Sequence, residues 1–432
     1  LFALLFALLF PPRSRKYVSH PQLEPQMPLA PLHYSPFDDA IFEDPYPIYK
    51  RLRAESPVHY VSEFDCWALS TFEDVWDACQ SPDLYTAEQG TTAGHLLQKV
   101  LEVFPALDMM DPPRHTAHRA LVSQRFGPGF VRQFEDDFRK IVRDRLDAVR
   151  DVGRFDVIQD LGSHLSAGAV CRILDFPASD TEMLRGWVDA VFHREPGELG
   201  ITQAGLDGFA NLDAYCLDLI KARRANGDVR DDVLGRYLAA ELDDATGAPQ
   251  SGAFMSDDKV ASLMKELIVA GTETLPKMLG ATLHRLWENP LPRREILGDS
   301  ARMLDAFMET IRFDMPTQFM ARVARCDTDI RGQKIRAGQP ILLLYTSASR
   351  DEAEFPDADR WNIDRKAPRT VGFGHGTHAC LGRHVARLEA RVALEEILGA
   401  MPEYEVDLGA STRLYTEYVQ GFASLPIDFE PY

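Results

Sequence analysis

Between Ser256 and Pro290 the apolar residues Val260, Leu263, Met264, Leu267, Ile268, Leu275, Leu279, Leu283, Leu286 and Trp287 recur at steps of three and four. That is the period of one face of an α-helix. Ser256 stands where an N-cap is needed, and Asp257 and Asp258 complement the positive end of the helix dipole. Pro290 stops the run. A helix of about 30 residues would be roughly 45 Å long, enough to cross a domain. A rod of that length has to be buried by other elements, so it dictates much of the architecture. Strand-like stretches are few: Pro340 to Tyr345, and the segments around Leu414 and Phe422. From Phe37 onward no Gly/Ser linker, internal repeat or low-complexity block occurs, and the Asp- and Gly-rich stretch from Gly227 to Ser256 reads as a surface loop. Length alone gives a prior of about three domains. The lack of a linker instead predicts one domain over residues 37–432, mainly α with a minor β portion.

The chain carries 47 Lys and Arg against 66 Asp and Glu, a net charge of −19. This argues against nucleic-acid binding, which needs clustered cations on phosphate, and against adhesion to acidic lipid. The six cysteines, at 66, 79, 171, 216, 326 and 380, form no C-x-x-C pair. Zinc ribbons and thioredoxin-like motifs are therefore excluded, and scattered thiols in a long chain fit a reducing, cytoplasmic setting. The first ten residues, LFALLFALLF, are too few to span a bilayer and follow no basic segment, so neither a transmembrane helix nor a signal peptide is expected. An unstructured leader is preferred over an interfacial anchor, so membrane contact is not expected. The first residue is not Met, so a processed or partial chain is expected. Seven prolines in residues 11–36 predict an extended arm.

The segment Phe373-Gly374-His375-Gly376-Thr377-His378-Ala379-Cys380-Leu381-Gly382 precedes a second strong helix, with Val385, Leu388, Val392 and Ile397 on one face and an end near Gly399. Cys380 thus sits just before a helix N-terminus, where backbone N–H groups favour a thiolate. A thiolate is a nucleophile or a metal ligand, and the glycines permit a tight loop close to a flat partner. A buried structural cysteine in a Gly-rich turn is the competing reading. Phosphate binding is weaker, because the loop lacks the G-K-[ST] ending of a P-loop.

The pattern F-x-x-G-x-H-x-C-x-G resembles the haem-binding signature of the cytochrome P450 family. Three further stretches resemble that family in the same order: Ala270-Gly271-Thr272-Glu273-Thr274, its oxygen-binding helix motif; Glu309-Thr310-Ile311-Arg312, its E-x-x-R helix; and Ser349-Arg350-Asp351 through Asp364-Arg365, its meander. The resemblance runs from about Asp44 to the C-terminus. It implies a fold with haem b held between the long central helix and the Cys-loop helix, and Cys380 as the ligand of the iron. It also implies O2 as co-substrate and NAD(P)H as an indirect electron source. A thiolate ligand favours O–O cleavage. Glu273 and Thr274 would deliver protons during catalysis, with Ala270 and Gly271 leaving space beside them. Phe373 and Gly382 would shape the cofactor loop. His115, Arg119, Arg322 and His378 would partner the haem propionates, and Glu309, Arg312 and Arg360 would form a buried structural network. Leu107, Met109, Val269, Phe319, Met320 and Phe422 are the substrate-contact candidates, and they suggest an apolar ligand. Two departures stand out. Glu273 occupies a position where the family often has Asp, and Pro276 interrupts the helix two residues after Thr274, removing the bond to the Thr272 carbonyl.

From Arg365 to Arg391 six Lys/Arg (365, 366, 369, 383, 387, 391) face one acid, Glu389, a local excess of 6 − 1 = +5. A positive face around Cys380 would suit an acidic electron donor. The resemblance to the soluble bacterial type implies a ferredoxin and its reductase as separate proteins. The expected activity is insertion of one oxygen atom from O2 into an apolar small organic molecule. A peroxide-driven or rearranging haem-thiolate enzyme and a non-catalytic haem sensor or carrier are the alternatives.

Overall fold

The computed structural model describes residues 31–99, 105–195, 200–243 and 245–432. The expectations for the apolar leader 1–10, and for most of the arm over residues 11–36, lie outside them. Tyr34–Tyr432 packs as one unit, and the following concerns it. Eight helices and six strands position the site: α1 (Arg114–Val122), α2 (Glu135–Val149), α3 (Ser163–Leu174), α4 (Thr181–Phe192), α5 (Gln203–Ala225), α6 (Asp257–Glu288), α7 (Ser300–Phe313) and α8 (Arg383–Ala400), with β1 (Val58–Val61), β2 (Cys66–Leu69), β3 (Tyr85–Thr86), β4 (Met320–Ala324), β5 (Pro340–Leu343) and β6 (Phe422–Ser424). Among the described residues no helix is long and apolar enough to cross a membrane.

Helix α6 is the predicted rod. The Ser256 side chain accepts the N–H of Lys259 at 3.2 Å, which fixes its start. Val260, Leu263, Met264, Ile268, Leu275, Leu279, Leu283 and Leu286 are all buried, and so are Lys259, Lys265, Glu273 and Lys277. A helix buried all round lies in the core rather than on it, and α3, α4, α5, α7 and α8 all pack against α6. Pro276 does not break it. The Thr272 carbonyl that Pro276 leaves without a backbone donor accepts the Ser166 hydroxyl of α3 at 2.8 Å. Gly162 makes room for the proline, because a Cβ there would stand 3.0 Å from Pro276 Cα. The cost of an interior proline, a lost bond and a clash, is thus offset by one hydroxyl and one glycine.

The main sheet has the order β1-β2-β5-β4-β3, antiparallel except for the parallel β2–β5 pair. Strand β5 is the predicted 340–345 segment, and the two C-terminal candidates pair as Thr412–Arg413 with β6. The stretch read as a surface loop differs: it contains a helix, Val233–Ala239, and a hairpin of Glu241–Leu242 with Pro249–Phe254. Short amphipathic elements among turn residues leave too few periods for the pattern to be read.

The buried charge network also differs from expectation. Glu309 and Arg312, three apart on α7, pair at 2.7 and 2.9 Å. The second guanidinium on Glu309 belongs to Arg365, at 3.1 Å, and not to Arg360. Arg360 contributes only its backbone carbonyl, 3.3 Å from Arg312 Nη2. Arg312 also donates to the carbonyls of Ser349 and Ala358, so the network staples the meander to α7. The meander turns between 360 and 365, and that turn decides which arginine points inward.

Candidate active site

A cavity of about 880 Å³ lies between α6 and the Cys380 loop. The Cys380 loop turns at Gly374, which lines the cavity, and at Gly376, both at φ 67°, where a side chain is strained. At Gly376 a Cβ would also run into the Cys79 carbonyl oxygen. The Cys380 N–H donates to the Phe373 carbonyl at 2.7 Å, and His375 stacks on Trp76. Helix α8 begins three residues after Cys380. Burial pushes the Cys380 thiol up, while the N–H groups of Gly382 and Arg383 and the guanidiniums of Arg119 and Arg383 pull it down. Burial has the larger effect, so the helix terminus alone does not secure a thiolate. A bound cation would complete it.

Across the cavity, α6 presents Val269, Ala270, Gly271, Glu273 and Thr274. Gly271 is required by packing as well as by open space, since a Cβ would come within 2.6 Å of Val170 on α3. The Glu273 carboxylate does not stand alone beside Thr274. It pairs with Lys277, one turn on, at 2.9 Å, and both side chains are almost fully buried. Burial raises the Glu273 pKa; Lys277 lowers it and Asp189 adds to the rise. The sequence reading missed Lys277, although its i+4 spacing from Glu273 was visible.

Of the expected propionate partners, Arg322 and His378 line the cavity, while His115 and Arg119 stand one layer behind. The rings of His115 and His378 lie 4.4 Å apart, and Arg119 donates to the Ala379 carbonyl at 2.5 Å. Burial pushes His115 down to about 4 and His378 down to about 2, so both rings are neutral near pH 7. Neighbouring Arg325 is engaged elsewhere, on Asp111 and the Pro82 carbonyl.

The substrate candidates divide. Met109, Val269 and Met320 line the cavity; Leu107, Phe319 and Phe422 do not. Met320 and Arg322 are two apart on β4 and share the cavity side of the strand, whereas Phe319 is buried outside the cavity lining. Phe422 packs edge-on against His284 of α6, and Leu107 is buried in the core. Another residue missed is Glu389 of α8. It lines the cavity, is buried, leaves Oε1 without a partner, and burial raises its pKa well above the usual carboxyl range.

One cavity is thus lined both by a cysteine just before a helix start and by a threonine of a long buried helix. Residues 208–406 match the Cytochrome P450 family. The chain is 32% identical over 401 residues to putative cytochrome P450 123 of Mycobacterium bovis, covering 91% of this chain and 96% of the relative. It is 34% identical over 371 residues to cytochrome P450 130 of Mycobacterium tuberculosis, covering 84% and 89%. Among solved structures, a mutant of P450 EryK in complex with erythromycin B superposes with a TM-score of 0.79 at 26% identity, covering 90% of this chain and 96% of that one. The chain belongs to the cytochrome P450 family. It is accordingly a haem-thiolate monooxygenase that uses haem b and O2, with electrons from NAD(P)H arriving through redox partners, and it acts on small molecules.

The cavity fits that prosthetic group. Both ring nitrogens of His115 and Nε2 of His378 are buried without partners. Orphaned polar atoms of this kind carry a cost that an anionic propionate would relieve. Arg322 supplies a buried cation at the same edge, and Cys380 the sulfur below.

Proposed function

We propose that this monooxygenase oxidises an apolar small molecule, with Cys380 holding the haem iron and Thr274 acting as the proton-handling hydroxyl beside it. The observation that carries the reading is that Cys380 and Thr274, from two different elements, both line one cavity. Bound haem would supply the activation of O2; the chain's own residues do the rest. Arg322 and His378, backed by His115, would hold the propionates. Thr274 Oγ1 passes protons inward, and Glu273, its pKa raised by burial, replenishes them. Lys277 holds the Glu273 carboxylate in place. Met109, Val269, Met320 and Val419 give the substrate an apolar wall and exclude water. The cavity cations Arg194 and Lys265 are paired with Glu417 and Asp213, which leaves neither as a clamp for a substrate carboxylate.

The electron donor in this reading is a ferredoxin-type protein docking on the face around Cys380. The support is narrower than the charge count suggested. Arg365 is paired with Glu309, Arg369 with Glu354 and Glu73, and Arg391 with Glu135 and Glu395. Among the described residues Arg383 and Arg387 have no ion-pair partner, and the acid counted against them, Glu389, is buried. All six cysteines are free thiols, in keeping with a reducing cytoplasm.

Thr274→Ala tests the role of the hydroxyl. Hydrogen peroxide released per NAD(P)H consumed is expected to rise several-fold, with product falling in step. An unchanged ratio would remove Thr274 from the proton path.

A further inference from the structure

Helix α6 offers two charged side chains, Lys259 and Glu266, to one short piece of chain. They are seven residues apart, two helical turns, so they share a face. The piece is the single turn Leu107–Met109 with its approach. Lys259 Nζ donates to the Pro105 carbonyl. Glu266 accepts the Leu107 N–H on Oε2 at 2.7 Å and the Asp108 N–H on Oε1 at 3.0 Å. One helix therefore grips both polarities of the backbone. A further tether comes from the sheet side: the Thr91 hydroxyl donates to Asp108 Oδ2 at 2.5 Å, and the Thr91 carbonyl accepts the Ala321 N–H of β4 at 2.8 Å. Ala106, Asp108 and Met109 form part of the cavity wall, beside Glu266 itself.

We infer that Glu266 is a positioning residue that fixes this wall in advance, and that the fixed wall sets how tightly the enzyme holds any ligand long enough to reach it. The inference rests on the reading that the cavity holds haem and substrate above Cys380. In its carboxylate form the side chain offers one acceptor oxygen to each of two adjacent N–H groups; burial and Asp108 push its pKa up to about 8, while those two N–H groups and Lys259 pull it down and favour that form. A glutamine offers one acceptor and turns its amide donors toward the other N–H. Ordering the wall before the ligand arrives removes that cost from binding.

The test compares two probes on the haem-loaded wild type, Glu266→Ala and Glu266→Gln, each followed by the Soret shift. Imidazole is small and does not need the wall; 4-phenylimidazole reaches beyond the iron. Glu266→Ala is expected to weaken 4-phenylimidazole about tenfold and imidazole less than about twofold, with Glu266→Gln in between. Should the alanine variant not fold, the near-isosteric glutamine variant decides alone. Equal shifts for both probes, no shift for either, or tighter binding of the larger probe would overturn the inference. Failure of the underlying reading would show separately, as an unshifted carbon monoxide band in the wild type itself.

Discussion

At the scale of single residues the account turns on Glu273 and its partner. A carboxylate and an ammonium buried together are tolerable only as a pair, and deleting one leaves a bare charge in a poor solvent. Lys277→Met is therefore expected to lower stability by about 3 kcal/mol, read from the urea midpoint. Lys277→Met combined with Glu273→Gln should recover most of that loss, because neither charge then remains. A single Lys277→Met variant as stable as wild type would show that the pair contributes nothing. Cys380 and Thr274 could be singled out from the sequence because each sits in a short local pattern, a glycine loop and a helix motif, and the two do line one cavity. Their partners could not be singled out. Lys277 is charged, and an i+4 charge pair usually marks a solvated face. Only the burial of every face of α6 turns it into an internal ion pair. The choice of Arg365 over Arg360 likewise depends on how the meander turns, which no spacing encodes.

At the scale of elements, the interesting strain is in α6. The Ser166 hydroxyl matters because Pro276 cannot donate to Thr272. Ser166→Ala is expected to cost about 1–2 kcal/mol, the price of an unsatisfied buried carbonyl. With Pro276→Ala the backbone N–H returns, and Ser166→Ala in that background should cost less than about half as much. The two substitutions thus form a cycle with a coupling energy of about 1 kcal/mol, measurable by thermal or urea unfolding. Additive effects would mean that the hydroxyl is not serving the proline's orphan. The rod itself, the helix after Cys380 and strand β5 were readable, since periods of 3.6 or an apolar run persist long enough to be recognised. The wall residues were read less well. At the start of β4 a one-residue step separates a cavity residue, Met320, from a core residue just before the strand, Phe319, and hydrophobicity alone does not tell the two apart. The same limit hid the 105–109 turn, which is defined by the side chains that grip it rather than by its own composition.

At the scale of the whole molecule, a chain of net charge −19 keeps two unpaired arginines, Arg383 and Arg387, among the described residues near Cys380. Counting charge along the sequence overstated the cationic face there, because four of its six cations, Arg365, Lys366, Arg369 and Arg391, are paired with acids from other elements. The distinction is testable. Reversing Arg383 and Arg387 to Glu is expected to slow reduction by an acidic donor about tenfold or more at low salt and less at high salt. Arg391→Glu should leave the reduction rate nearly unchanged and act on stability instead, through its pairs with Glu135 and Glu395. Equal slowing by both changes would mean that net charge, not the local face, steers the donor. The central claim concerns the cavity that all of these elements enclose, and the visible spectrum of the dithionite-reduced protein under carbon monoxide tests it most directly, with Cys380→Ser measured alongside. A strongly red-shifted Soret band in the wild type, lost in the variant while haem is retained, is the predicted result. An unshifted band in folded, haem-loaded wild type, or a red-shifted band that survives in Cys380→Ser, would contradict the assignment.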